Sequence, residues 1–275
     1  SDVTVLLTGE TGVGKELAAR ALHRASRRTA APFVAINCAA LPLGTLQSEL
    51  FGHERGAFTG AVSRKTGSIE RAAGGTLFLD EIGETPPEMQ SALLRFLEER
   101  AFLRVGGTLP IPVDLRLVAA THRDLARLVK EGKFRQDLFY RLQVVEIRIP
   151  PLRERPADIA PLVSHFLGNG KAPGISDRAL TVLRRHGWPG NVRELKHAIL
   201  HASALSGGRV IDAEHLPETV RSPGGGSDGE IRSAIHRALA QAPEGGAWEA
   251  VEALWAKPLI VKALADAEGN QTDAA

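Results

Sequence analysis

One cysteine, Cys38, stands alone in a chain of 275 residues. A single thiol excludes an internal disulfide framework, and such usage fits a reducing, cytoplasmic setting. Cys38 follows an apolar run, where a small buried hydrophobe is expected rather than a reactive thiol. Long apolar stretches are missing as well. None approaches the roughly 18 residues of a membrane span, and no signal peptide opens the chain. An excess of either charge is also lacking: 34 Lys and Arg stand against 32 Asp and Glu, for a formal net charge of +2. That balance is too even to imply bulk nucleic-acid binding from electrostatics alone. What remains, 43% hydrophobic and 24% charged residues, is the composition of an ordinary globular protein. The length favours two domains over one.

Apolar, β-branched runs at 3–8, 33–37, 76–80, 115–120 and 143–149 read as strands, with helical patterns at 15–27, 43–51, 87–99 and 123–131 between them. Strands this apolar, alternating with helices, predict an α/β fold with a parallel sheet covered on both faces. Beyond "PPLRERP" (150–156) the strand signals stop, and helices are expected near 157–167, 176–186 and 191–205, with Asn191 as N-cap of the last. The predicted domains are therefore 1–150, α/β, and 151–221, helical; "SPGGGSDGE" at 222–230 reads as a flexible linker, and 231–275 follows it. The first strand has no lead-in and the last residues break off in mid-pattern, so the chain reads as part of a longer protein.

"GETGVGK" (9–15) fits the phosphate-binding pattern G-x-x-x-x-G-K and lies between a predicted strand and a predicted helix. Gly9, Glu10, Thr11, Gly12, Val13 and Gly14 would turn backbone N–H groups inward around phosphate oxygens, the helix N-terminus adding its positive dipole end. Lys15 would reach the β- and γ-phosphates. The pattern continues with Ser or Thr, whereas this chain has Glu16, a carboxylate that must point away from the phosphates or act through a metal shell. The alternative is a plain glycine turn entering a helix. "GGTLFLDEIGE" (74–84) supplies a second half: an apolar strand delivers Asp80 and Glu81 to its C-terminal edge, where ligands of open α/β sheets bind. Asp80 would hold Mg²⁺, and Glu81 would orient and deprotonate an attacking water. Without the phosphate loop, the same two acids would be solvated loop residues. With it, ATP hydrolysis is the reading.

"GAFTGA" (56–61) is harder to explain from local rules. Gly56, Ala57, Gly60 and Ala61 offer backbone freedom and little to bury, yet Phe58 is large and apolar and Thr59 can donate or accept a hydrogen bond. Either Phe58 packs back on its own domain, or it is an apolar anchor offered to a partner at a mobile tip.

Together, "GETGVGKE", "SELFGHERGAFTGA", "GGTLFLDEIGE", "FRQDLFYRL", "PPLRERP" and "WPGNVREL" resemble the AAA+ ATPase domain of bacterial sigma-54-dependent transcription activators, from residue 1 to about 220. Glu16 also belongs to that pattern. The resemblance implies an ATP- and Mg²⁺-dependent machine that remodels the RNA polymerase–sigma-54 closed complex through its GAFTGA loop, assembled as a homo-oligomeric ring of six or seven subunits. It implies a switch role for Asn37, paired with Glu81, and a sensor segment at Thr121 and His122, where Asn is commoner than His. Arg193 falls at the second sensor, and Arg135 and Arg141 at the arginine fingers, which serve a neighbour's site; each finger candidate is alternatively a structural ion-pair partner. Residues 257–275 resemble the start of a Fis-like helix-turn-helix, so DNA binding is implied only for a full-length protein. Trp248, Leu254, Trp255, Leu259 and Leu264 have the spacing of a helix that is core or dimer contact. Two other readings stay open: a AAA+ remodeller of a different protein, and a nucleotide-gated binding module without turnover.

Overall fold

The computed structural model describes residues 2–168 and 174–221. The linker at 222–230, the Fis-like segment and the Trp248–Leu264 pattern lie outside the described residues. Packing divides the described chain into two units, one built from residues up to 168 together with 187–200, the other from 174–186 together with 201–221. No described helix is long and apolar enough to cross a membrane.

In the first unit the strands are β1 (Val5–Thr8), β2 (Phe33–Asn37), β3 (Gly52–His53), β4 (Lys65–Thr66), β5 (Thr76–Asp80), β6 (Ala101–Phe102), β7 (Ile111–Pro112), β8 (Arg116–Thr121) and β9 (Val145–Arg148). Between and after them run helices α1 (Lys15–Arg24), α2 (Leu43–Phe51), α3 (Ser68–Arg71), α4 (Pro87–Glu99), α5 (Leu125–Lys130), α6 (Gln136–Leu142) and α7 (Ile159–Phe166). Five strands make one parallel sheet in the order β2-β5-β8-β1-β9. All five therefore end at one edge, which collects Thr8, Asn37, Asp80, Thr121 and Arg148.

Strand alternation sorts the core. Leu6, Leu77, Leu79, Leu117 and Ala119 face one side, where α2, α4 and α6 supply Leu46, Leu50, Met89, Phe96 and Leu138. Val5, Leu7, Phe78, Val118 and Ala120 face the other, against Ala19 of α1. Burial of both faces holds for β1, β5 and β8, but not for the sheet margins. All four residues of β9 are exposed and β2 buries only Ile36, because an edge strand has one neighbour and lies beyond the helices that cover the middle. Cys38 is buried, and desolvation pushes its thiol up to about 12, so it is an inert packing residue.

In the second unit α8 (Asp177–Arg185) packs against a 3₁₀ turn at Ala213–His215 and against α10 (Glu218–Arg221). Ser176 caps α8 by accepting from the Ala179 N–H at 3.1 Å. In the chain α9 (Asn191–Leu205) falls between these segments, its residues 191–200 belonging to the first unit and 201–205 to the second. Asn191 is not the side-chain N-cap expected of it. Its φ is +53°, its side chain is fully buried, and its amide bonds other segments. The helix start is instead tied by Glu194, whose carboxylate accepts from the Gly190 N–H at 2.8 Å.

Candidate active site

β1 runs into the phosphate-loop sequence, and α1 begins at Lys15 directly after it. Two glycines show why the loop has this composition. A Cβ on Gly12 (φ +82°) would lie 2.4 Å from the Gly190 carbonyl oxygen, so any side chain there would displace backbone. Gly14 (φ +102°) has open space where a Cβ would stand, a bare backbone surface that a ligand can approach closely. Lys15 is buried, its Nζ donating to the Gly9 carbonyl at 2.9 Å and the Glu10 carbonyl at 3.3 Å. Glu16 points away from the loop: it pairs with Arg20 one turn along α1 at 2.7 Å, which answers the repulsion problem its position raised.

Glu81 is the hub of the sheet edge. It follows β5 in the left-handed conformation, φ +54°, a costly state for a residue with a side chain and one that clusters at active sites. One carboxylate oxygen lies 3.4 Å from Lys15 Nζ. The other accepts from the His122 N–H at 3.2 Å and lies 2.6 Å from His122 Nδ1. Burial pushes the Glu81 carboxyl up, but His122 and Lys15 together outweigh it and hold the group below the usual carboxylate range. Asp80 behaves oppositely: burial and the neighbouring Glu81 charge raise it. Its Oδ1 accepts from the Glu81 N–H at 3.1 Å. Among the described residues no cluster of three or more metal-ligating side chains exists. The site thus offers one strand-end carboxylate beside a phosphate loop, the donor set that suits Mg²⁺ held partly by phosphates and water, and not a protein cage.

The GAFTGA segment lies between β3 and β4, an antiparallel pair that forms its stem. Gly56 and Gly60 both adopt positive φ, and the Gly56 N–H donates to the Ala61 carbonyl at 2.9 Å, which closes the loop on itself. Ala61 is buried and Thr59 is exposed. Phe58 is 46% exposed. Its ring stands edge-on to His53 at 5.0 Å, so the aromatic rests on the stem while much of it faces solvent.

Residues 1–148 match the family model of the sigma-54 interaction domain. The chain belongs to the sigma-54 interaction domain family. Residues 153–233 match the AAA+ ATPase lid domain. The chain is 48% identical to the DNA-binding transcriptional regulator NtrC of Azospirillum brasilense, over 100% of this chain and 61% of the relative. It is 46% identical to the regulatory protein AtoC of Escherichia coli K12, over 99% of this chain and 59% of the relative. It thus spans about three-fifths of the length of these curated relatives. A crystal structure of NtrX from Brucella abortus in complex with ATP is 31% identical, with a TM-score of 0.72, covering 93% of this chain and 64% of that one.

The remaining expected residues of this sigma-54 interaction domain are placed less uniformly. Asn37 ends β2 beside Asp80 in register, but its Oδ1 accepts from the Ala39 N–H at 2.8 Å, and no hydrogen bond joins it to Glu81. The expected switch pairing is not made in this structure: Asn37 is turned to Ala39, and Glu81 is engaged by Lys15 and His122. Arg193 is exposed on the first turn of α9, its Cβ 3.3 Å from where a Cβ of Gly12 would stand, beside the phosphate loop. Arg135 immediately precedes α6 and pairs with Asp137 at 2.7 Å. Arg141 is exposed on the last turn of α6 with one long bond, 3.4 Å, to the Leu97 carbonyl. Sequence reasoning gave no role to Glu84, which lies 3.8 Å from His122 Nε2 and 2.6 Å from Arg123 and so braces the turn after β8. The acidic repeat in "DEIGE" was the available signal.

Proposed function

We propose that this chain binds ATP with Mg²⁺, hydrolyses it in a homo-oligomeric ring of six or seven subunits, and spends that energy on remodelling the RNA polymerase–sigma-54 closed complex in the cytoplasm. The observation that carries this reading is the convergence of Lys15, Asp80 and Glu81 on one phosphate loop, at the edge where the parallel strands end. Lys15 is held by Glu81 and would transfer to the phosphates when nucleotide enters. Glu81, released from that ion pair but still held by His122, would take the proton of the attacking water. Asp80 would hold Mg²⁺, which when bound offsets phosphate charge. Arg193 would reach nucleotide from the start of α9, and Arg135 or Arg141 would reach a neighbouring subunit's site. Asn37, one strand over from Asp80, would exchange onto Glu81 as Lys15 leaves it. DNA binding would belong to a C-terminal domain of the full-length protein.

Half-exposed Phe58 supports the contact-arm reading of GAFTGA, with Thr59 as the directional hydrogen-bonding group beside it. Thr59→Ala is expected to keep ATP turnover within about twofold while abolishing ATP-dependent capture of sigma-54 and open-complex formation, because it removes the hydroxyl and leaves the partner's polar group unsatisfied in the contact. Thr59→Ser, which keeps the hydroxyl, should lose far less. The assay is co-migration of sigma-54 with the ATP-loaded protein. Undiminished capture by Thr59→Ala would remove the arm from the mechanism.

A further inference from the structure

Three consecutive carbonyls of the phosphate loop are each taken by a donor from outside the loop. Asn191 Nδ2 donates to the Thr11 carbonyl at 3.1 Å. The Val192 N–H donates to the Gly12 carbonyl at 3.0 Å. Arg155 Nη2 donates to the Val13 carbonyl at 2.8 Å. A peptide unit is planar, with its C=O and the following N–H on opposite sides. Fixing the carbonyls of Thr11, Gly12 and Val13 therefore fixes the N–H groups of Gly12, Val13 and Gly14, the ones a phosphate nest uses.

From this geometry we infer that Asn191 and Arg155 are positioning residues for phosphate binding, a clamp on the back of the loop that sets nucleotide affinity without touching nucleotide. The inference rests on the ATP-binding reading above. Asn191 is built for the task. It is fully buried in a left-handed conformation, and its amide serves three segments at once. Oδ1 accepts from the Leu152 N–H at 2.8 Å, while Nδ2 is shared between the Thr11 carbonyl and Glu10 Oε2, each at 3.1 Å. Only a primary amide has an acceptor and two donors at that size. Glu10 is in turn forked by Arg153 at 2.6 and 2.9 Å. Arg153 and Asn191 hold its carboxyl down to about 2, so the brace stays ionised through any working pH. Glu10 thereby belongs to the clamp, not to the phosphate-facing surface.

The test measures ATP affinity and steady-state kinetics of the full chain for Asn191→Ala, Arg155→Met and Arg155→Lys, with Lys15→Ala as control. Asn191→Ala leaves the Leu152 N–H and the Thr11 carbonyl without partners, and the expected result is a roughly tenfold or greater rise in Kd and KM for ATP. kcat should fall by less than about threefold, because the reacting groups are untouched. Arg155→Met should show the same split, and Arg155→Lys, which keeps a donor for the Val13 carbonyl, should recover most of the affinity. A purely structural role would lower the melting temperature and leave KM in place, and that result overturns the clamp. If Asn191→Ala does not fold, the Arg155 pair decides: equal affinity in Met and Lys overturns it as well. A failure of the ATP reading looks different, since Lys15→Ala would then bind nucleotide as the unaltered chain does.

Discussion

Glu81→Gln is expected to bind ATP and to hydrolyse it on the order of 10²–10⁴-fold more slowly, the usual loss on removing a general base. The geometry predicts the binding half of that result as well as the turnover half. Glu81 holds Lys15 at 3.4 Å in this structure, so the cation that should meet the phosphates is partly engaged elsewhere. A glutamine keeps the shape of the side chain and its carbonyl can still accept from the His122 N–H, but it has no charge with which to hold Lys15. Nucleotide affinity should therefore be unchanged or higher. Lys15→Ala should behave oppositely and lose binding itself. The ionisation state of Glu81 follows the same contacts. Burial raises its pKa, while His122 and Lys15 lower it by more, so it is ionised at neutral pH. When Lys15 moves to the phosphates one lowering influence weakens and the burial remains, which moves the carboxylate upward and makes it a better base. Equilibrium binding of a fluorescent ATP analogue and a phosphate-release assay measure the two halves. Near-normal turnover in Glu81→Gln would remove Glu81 from the role of base.

The parts of this structure that sequence reveals are those whose cause is local. β5 reads directly because "TLFLD" buries its first four residues, three of them the apolar run Leu77, Phe78 and Leu79, as a strand covered on both faces favours. The phosphate loop reads because its glycines answer steric demands that no other residue meets, as Gly12 does against the Gly190 carbonyl. The two short hairpins escaped, since β3 with β4 and β6 with β7 pair over two residues each and carry no periodicity of their own. α6 escaped as well: of its seven residues only Leu138 and Leu142 are buried, too sparse an apolar pattern to announce a helix. Asn191 was misread because its type suits a helix cap, whereas its partners, Leu152, Thr11 and Glu10, are distant in the chain. The same limit governs the site. Lys15, Glu81 and His122 were each legible as single candidates, but the Lys15–Glu81–His122 hub exists only because three parallel strands end at one edge. Asn37 shows the converse, a role inferred from resemblance whose expected partner is engaged by other groups in this structure.

Arg141→Ala is expected to reduce ATP turnover by roughly 10³-fold or more, the scale on which arginine fingers act, while leaving ATP binding in place. Arg141 is the better of the two candidates on the geometry. Arg135 is already committed to Asp137 at 2.7 Å and to Ser91 at 3.4 Å, so its loss should act mainly on the start of α6. Arg141 is exposed at the other end of the same helix and, among the described residues, makes a single 3.4 Å bond, to the Leu97 carbonyl, which leaves its guanidinium available to a neighbouring chain. A finger that acts between subunits has a consequence that a residue of its own site cannot mimic. Specific activity of the unaltered protein should rise with protein concentration. An Arg141→Ala subunit keeps its phosphate loop and lacks a finger, and a Lys15→Ala subunit has the reverse. Random mixing in equal amounts pairs an intact loop with an intact finger at roughly a quarter of ring interfaces, so up to about that fraction of activity should return from two nearly silent proteins. The measurement belongs in the full-length protein, at concentrations above and below assembly, with phosphate release as the readout. Turnover that does not change with concentration, together with no recovery on mixing, would mean that each chain completes its own site, and the trans-acting role of Arg141 would fall.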